Sequence, residues 1–114
     1  MNKHIKAKYI DEDCEVTFGR YASGEIAIQL LCPITGEPWA KVTASCVPYG
    51  LPEVDYNKEI YLKDYAENQG MRAAMHDAGL IEAVVSHVAF GRVTMCKCTL
   101  TQEAITELQR QTKK

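Results

Sequence analysis

Between Cys14 and Ser45 apolar and polar side chains alternate through three successive segments, each ended by a turn former, and few folds accommodate that pattern. In CEVTFGRYA, Cys14, Val16 and Phe18 share one face while Glu15 and Thr17 take the other. Gly24 in ASGE interrupts the run before EIAIQLLC resumes it, which predicts a hairpin. In CPITGEPWAKVTAS, Pro33 sets φ at a corner and Gly36 closes the turn; Trp39, Lys41 and Thr43 then alternate with Ala40, Val42 and Ala44. Upstream, KHIKAKYI sets His4, Lys6 and Lys8 against Ile5, Ala7 and Tyr9, and the acidic run Asp11, Glu12, Asp13 is expected to turn the chain. The expectation is a four-stranded antiparallel meander.

The second half mixes periods. VPYGLPEVDYNK holds two prolines and a glycine and reads as an irregular loop, because proline cannot donate to a ladder. EIYLKDY resumes a short strand with Ile60 and Leu62 on its apolar side. In DYAENQGMRAAMHDAGLI, Asp64 is placed to cap a helix with Glu67 reaching back in a capping box. Met71, Ala74, Met75 and Ala78 fall at helical spacing, and Gly79 ends the helix. LIEAVVSHVAFGRVTMCKCTL reads as two strands split around Ala89 to Arg92. A last helix opens at Thr101, with Leu100 and Ile105 as a hydrophobic staple and Arg110, Lys113 and Lys114 at its negative pole. The fold class is α+β: one domain over residues 1–114, mainly an antiparallel β-sheet of five to seven strands with two helices packed on one face.

Composition narrows the function classes. Fifteen acidic residues against 13 basic ones give a formal charge of −2, which removes the broad cationic field that direct nucleic-acid binding needs. No run of about 18 apolar residues is present for a membrane span, and the N-terminus lacks a signal-peptide core, so the expectation is a cytoplasmic protein of a bacterial host. Five cysteines, an odd number set mostly in apolar or alternating segments, fit a reduced compartment.

Candidate chemistry is sparse. The thiols of Cys96 and Cys98 share one face of a strand, and their spacing differs from a Cys-x-x-Cys knuckle; His4, His76 and His87 fall on separate elements, so no metal is expected. The seven glycines are scattered singly, with no phosphate-cradling motif, so no nucleotide cofactor is expected. Cys32 or Cys46 with His87 could serve a cysteine nucleophile, although no local signature supports one. Tyr9, Phe18 and Tyr21 near Lys8 and Arg20 could form a stacking platform for single strands, against the simpler reading of aromatic packing between strands. In KDYAENQG, capping accounts for Asp64 and Glu67, but not for Lys63, Tyr65 or Asn68. A tyrosine flanked by charges on a helix start is a residue type that anchors protein interfaces.

The order of GEPWAKVT, EIYLKDYAENQGMRAAMHDAGLIE and LTQEAI resembles a family of small proteins of unknown function from phages and conjugative elements of gut bacteria. The resemblance rests on Gly36-Glu37-Pro38 followed by Thr43, on Lys63-Asp64-Tyr65-Ala66-Glu67-Asn68-Gln69-Gly70, and on Gly79-Leu80-Ile81, and it covers roughly residues 14–108. The chain departs from the family in TASCVPYG, where a more polar end is usual. At least one member of the group is regarded as an anti-CRISPR protein directed at type II-A Cas9. The resemblance therefore implies a non-enzymatic accessory protein of a mobile element that binds another protein, a defence nuclease among the candidates. On this reading Lys63, Asp64, Tyr65, Glu67 and Asn68, with Asp11, Glu12 and Asp13, form the partner-binding set, the carboxylates standing in for phosphates in a cationic channel. A homodimer through an exposed sheet edge is a further expectation. The alternatives are a nucleic-acid-binding accessory protein using the aromatic and basic sheet face, and a small enzyme with a cysteine nucleophile.

Overall fold

The computed structural model describes residues 1–45 and 52–112. Among the described residues it is an α+β fold of eight strands and two α-helices, with one strand more than the expected range and two sheets in place of one. The first sheet is the predicted meander: β1 (Asn2–Lys6), β2 (Asp11–Arg20), β3 (Ile26–Leu31) and β4 (Pro38–Lys41), antiparallel and in sequence order. The second holds β5 (Thr43–Ala44), β6 (Glu59–Leu62), β7 (Ile81–Phe90) and β8 (Val93–Leu100), ordered β5-β6-β8-β7. The expected loop after β5 is irregular over residues 52–55, and its first part, with Cys46, lies outside the described residues.

Val42 is where the chain changes sheets. Its N–H donates to the Ile28 carbonyl of the first sheet, and its own carbonyl accepts from the Lys63 N–H beside the second. Alternation in the sequence continues unbroken through this residue, yet Val42, Thr43 and Ala44 are all buried, so here periodicity reports neither the buried face nor the change of partner. Thr43 follows, fully buried; its hydroxyl oxygen accepts from the Ile28 N–H at 3.0 Å and lies 3.2 Å from the Tyr21 hydroxyl. A buried polar side chain thus stitches the two sheets together with its hydrogen bonds satisfied.

One core lies between the sheets. Ile5, Val16, Ile28 and Leu30 of the first meet Ile60, Leu62, Cys98 and Leu100 of the second, all between 0% and 2% exposed. Helix α1 (Met71–Asp77) packs against β1 and β7, and α2 (Gln102–Thr112) against β2 and β8, so each helix touches both sheets. A smaller apolar cluster, Ala44, Val54, Tyr61 and Met95, joins Tyr61 of β6 to Met95 of β8. That is why Tyr61 is as buried as Ile60 and Leu62: β6 is central and covered on both faces.

Helix α2 also solves an edge problem. Strand β1 is shorter than β2 and leaves its far half unpaired on that side; Gln111 fills the gap, its Oε1 accepting from the Phe18 N–H at 2.8 Å and its Nε2 donating to the Val16 carbonyl at 3.2 Å. Thr101 caps α2 as predicted, its hydroxyl accepting from the Ala104 N–H. The Gly79 stop is also as predicted: the Gly79 N–H donates to His76 and the Leu80 N–H to Met75, with Gly79 at φ 77.

Two local expectations are corrected. Asp11, Glu12 and Asp13 do not turn the chain; they begin β2, opposite Lys6, Ile5 and His4, and the turn is made earlier, where the Ala7 N–H donates to Ile10. Opposite charges facing across the pair favour this register. The helix expected from Asp64 begins only at Met71, after a 3₁₀ turn (Ala66–Asn68) and a left-handed Gly70 at φ 88. Asp64 still caps it, from a distance: its carboxylate accepts from the Arg72 N–H at 3.0 Å. The Glu67 side chain, and with it the reciprocal arm of the capping box, lies outside the described residues.

Candidate functional site

The residues that interrupt the expected helix tie the first sheet together. Asn68, 2% exposed, donates from Nδ2 to the Lys41 carbonyl on β4 at 2.7 Å. Its neighbour Gln69 accepts from the Lys8 N–H, just beyond β1, at 2.9 Å. The ledge 68–70 therefore joins the two outer strands of the meander, and Asn68 is architecture. Tertiary hydrogen bonds to both strands outweigh the helix propensity of the segment.

Trp39 stands beside this ledge. Across β3 and β4 the partner of Leu30 is Ala40 and that of Leu31 is Pro38, so Trp39 is the extra residue of a β-bulge. Bulges re-aim side chains, and edge strands tolerate the proline that precedes it. The indole is left 38% exposed between two shallow clefts. One, about 250 Å³, is lined by Gln29, Ala40, Lys41, Lys63 and Asn68; the other, about 310 Å³, by Tyr9, Ile10 and Glu12. Tyr9 is 64% exposed, and the Lys8 ammonium lies over its ring at 5.4 Å. Clefts this small and open suit side chains of a partner better than an enclosed cofactor.

Of the residues picked from sequence, the fold brings Lys63, Asn68 and Glu12 to the walls of these clefts. Asp64 serves α1, and Tyr65 is half-buried against the smaller apolar cluster. Asp11 and Asp13 grip the two nitrogens of exposed His4, at 2.7 and 2.8 Å. Trp39, which lines both clefts, is not among the residues picked from sequence, and Tyr9, which lines one, is picked only for the stacking platform. The available signal was the sole tryptophan of the chain set directly after a proline on a short strand.

The His4 clamp makes a pH prediction. Hydrogen bonds donated by the ring to Asp13 first and Asp11 second raise the imidazole pKa above 6.5, so the folded state favours the protonated ring. Its contribution to stability is complete below about pH 6.5 and fades as pH rises through the raised value. An NMR titration of His4 is expected to show the upward shift, and Asp13→Asn to reduce it more than Asp11→Asn. An unshifted ring in the unmodified protein would show that the clamp is absent in solution.

The other constellations come apart. Phe18 lies in the core, the Tyr21 hydroxyl donates to Thr43, and the Arg20 guanidinium donates to the Gly24 and Tyr56 carbonyls, which divides the expected stacking platform. Cys96 and Cys98 face the core from β8, and burial pushes the Cys98 thiol up to about 12 and Cys14 up to about 11. Cys32, in the turn after β3, is drawn below the ordinary thiol value by hydrogen bonds from the Thr35 hydroxyl and from the Thr35 and Ile34 backbone. His87 stands on β7 of the other sheet. Among the described residues no group of His, Cys, Asp and Glu could hold a metal ion, and no helix is long and apolar enough to cross a membrane. Comparison of the chain with protein-family models, with curated proteins and with solved structures finds no match in any of the three.

Proposed function

We propose that this chain is a non-enzymatic protein-binding accessory protein that docks through Trp39. The supporting observation is the bulge that turns the indole out between two clefts, with Tyr9 on the far wall of one and Lys41 and Lys63 on the wall of the other. Aromatic anchors ringed by polar groups carry most of the energy at protein interfaces. Asp11 and Asp13 are engaged by His4, which leaves Glu12 as the carboxylate of that run lining a cleft, so an aromatic anchor is favoured over phosphate mimicry. The resemblance to mobile-element proteins makes a type II-A Cas9 nuclease the first partner to test.

The tryptophan is its own reporter, because the chain has one. Titration with purified Cas9 at low salt is expected to shift the indole emission to shorter wavelength, and Trp39→Ala to weaken binding by about 2 kcal/mol or more, roughly 30-fold. A complex whose affinity is untouched by Trp39→Ala would overturn the docking surface. Absence of any complex would remove this nuclease as the partner.

A further inference from the structure

Cys14 and Cys32 face each other across the first sheet. The β2–β3 ladder runs without a bulge from Arg20 opposite Ile26 to Glu15 opposite Leu31, so the next pair is Cys14 with Cys32. Backbone bonds on the outer sides of the two strands fix the same phase. The Val16 N–H donates to Met1 and the Phe18 N–H to Gln111, away from β3; the Ile28 carbonyl accepts from Val42 and the Cys32 N–H donates to Glu37, away from β2. Even-numbered positions of both strands thus turn their N–H and C=O groups outward, which makes Cys14 and Cys32 a non-hydrogen-bonded pair. Such pairs hold their Cα atoms about 4.5 Å apart with both side chains on one face, inside the roughly 4.4–6.8 Å over which a disulfide closes without backbone movement. Cys14 is fully buried and Cys32 half-buried, and the two thiols are close enough to interact electrostatically.

We infer that Cys14 and Cys32 form a reversible oxidation site, at which a peroxide converts the two thiols into a disulfide joining β2 to the end of β3. Cys32 reacts first, because it reaches solvent and its thiolate is held by donors from Thr35 and Ile34. Its sulfur takes one peroxide oxygen as the O–O bond breaks, leaving a sulfenic acid, and the departing hydroxide leaves as water with the proton the thiol gave up. Cys14 then displaces the sulfenic hydroxyl to form the S–S bond, and its own proton leaves with that hydroxyl as a second water. The two sulfurs give up two electrons and the peroxide oxygens accept them. Burial pushes the Cys14 thiol up to about 11, which keeps it protonated and slow toward oxidants in solution. Its place directly opposite the sulfenic acid supplies by proximity what its thiolate fraction lacks. A pair this close lies at the short end of the disulfide range, and strained bonds are the readily reduced ones, so the link suits a compartment that keeps thiols reduced at rest. Closing it draws the Cys32 sulfur off Thr35 and Ile34, in the turn that leads into β4.

The reduced full chain, treated with a small excess of hydrogen peroxide near neutral pH, is expected to lose two of its five thiols and to regain both with dithiothreitol. Arg20 separates the two cysteines into different tryptic peptides, so mass spectrometry without reduction should find those peptides joined and lighter by two hydrogens than their sum. In Cys14→Ser, Cys32 should instead be trapped by dimedone as the sulfenic acid, and in Cys32→Ser, Cys14 should stay reduced. Thr35 is exposed, so Thr35→Ala should leave the circular dichroism unchanged while slowing the cross-link several-fold, and Thr35→Ser should restore the rate. Peroxide that leaves Cys14 and Cys32 unjoined in the folded chain would overturn the inference. So would a link between any other two cysteines, or a cross-linking rate that Thr35→Ala does not change.

Discussion

Gly70→Ala is expected to destabilise the protein by about 2–4 kcal/mol, a fall in melting temperature of roughly 10–20 °C. Two independent penalties combine. The residue sits at φ 88, where a side chain crowds its own backbone, and a Cβ built there would lie 3.2 Å from the Lys8 nitrogen and 3.4 Å from the Ala7 Cα. Those neighbours are backbone atoms of the turn after β1, held by the Lys8 to Gln69 hydrogen bond, so neither side yields cheaply. Gly36 provides the comparison: its φ is 76 and a Cβ there meets nothing within 4 Å. Gly36→Ala should cost only the backbone term, about 1 kcal/mol. Equal losses for the two variants, measured by thermal or urea unfolding, would show that the ledge does not press on the β1 turn.

Asn68→Asp is expected to cost about 2–4 kcal/mol at neutral pH. The substitution keeps the shape and replaces the Nδ2 donor with a carboxylate oxygen facing the Lys41 carbonyl, in a position 2% exposed. Two acceptors then oppose each other, and the charge is removed from water. Protonation relieves both faults, so the folded state raises the pKa of the new carboxyl above its unfolded value. The loss relative to the unmodified protein should be smallest below the unfolded carboxylate range, near pH 4, and should grow as pH rises through the raised folded value. Asn68→Leu, which leaves the carbonyl unpaired without a charge, should cost about 1–3 kcal/mol and show no such pH dependence. Parallel pH profiles for the two variants would mean that the Asn68 side chain reaches solvent.

These two variants test the segment in which sequence and structure differ most. Read by spacing, Asp64 to Gly79 is one helix, because its apolar residues recur every three or four places and Asp64 with Glu67 matches a capping pattern. The last turns behave that way, and Gly79 stops them as its freedom at positive φ allows. The first turns do not, because Asn68 and Gln69 find hydrogen-bond partners on β4 and beside β1 that no local pattern encodes. Of the candidate contact residues, Lys63, Glu12 and Asn68 reach cleft walls, Asn68 while its amide braces β4, whereas Asp11 and Asp13 are recruited as a histidine clamp. Residue chemistry identified side chains able to make strong contacts; it could not say whether those contacts would be made inside the molecule or outside it.

What the sequence determined by itself is the set of buried faces and most of the stops. Cys14, Val16 and Phe18, then Ile26, Ile28 and Leu30, are buried as two-residue alternation requires, and Thr101 caps α2 through a bond to a residue three places on. Each of these depends on contacts within a few residues, or on which side of a strand is apolar. Tertiary structure alone decided the division into two sheets at Val42, the bulge that exposes Trp39, and the bracing of both edges of the first sheet by residues 68–70. All three depend on which backbone groups find partners far along the chain, and a backbone N–H or C=O is the same in every residue except proline.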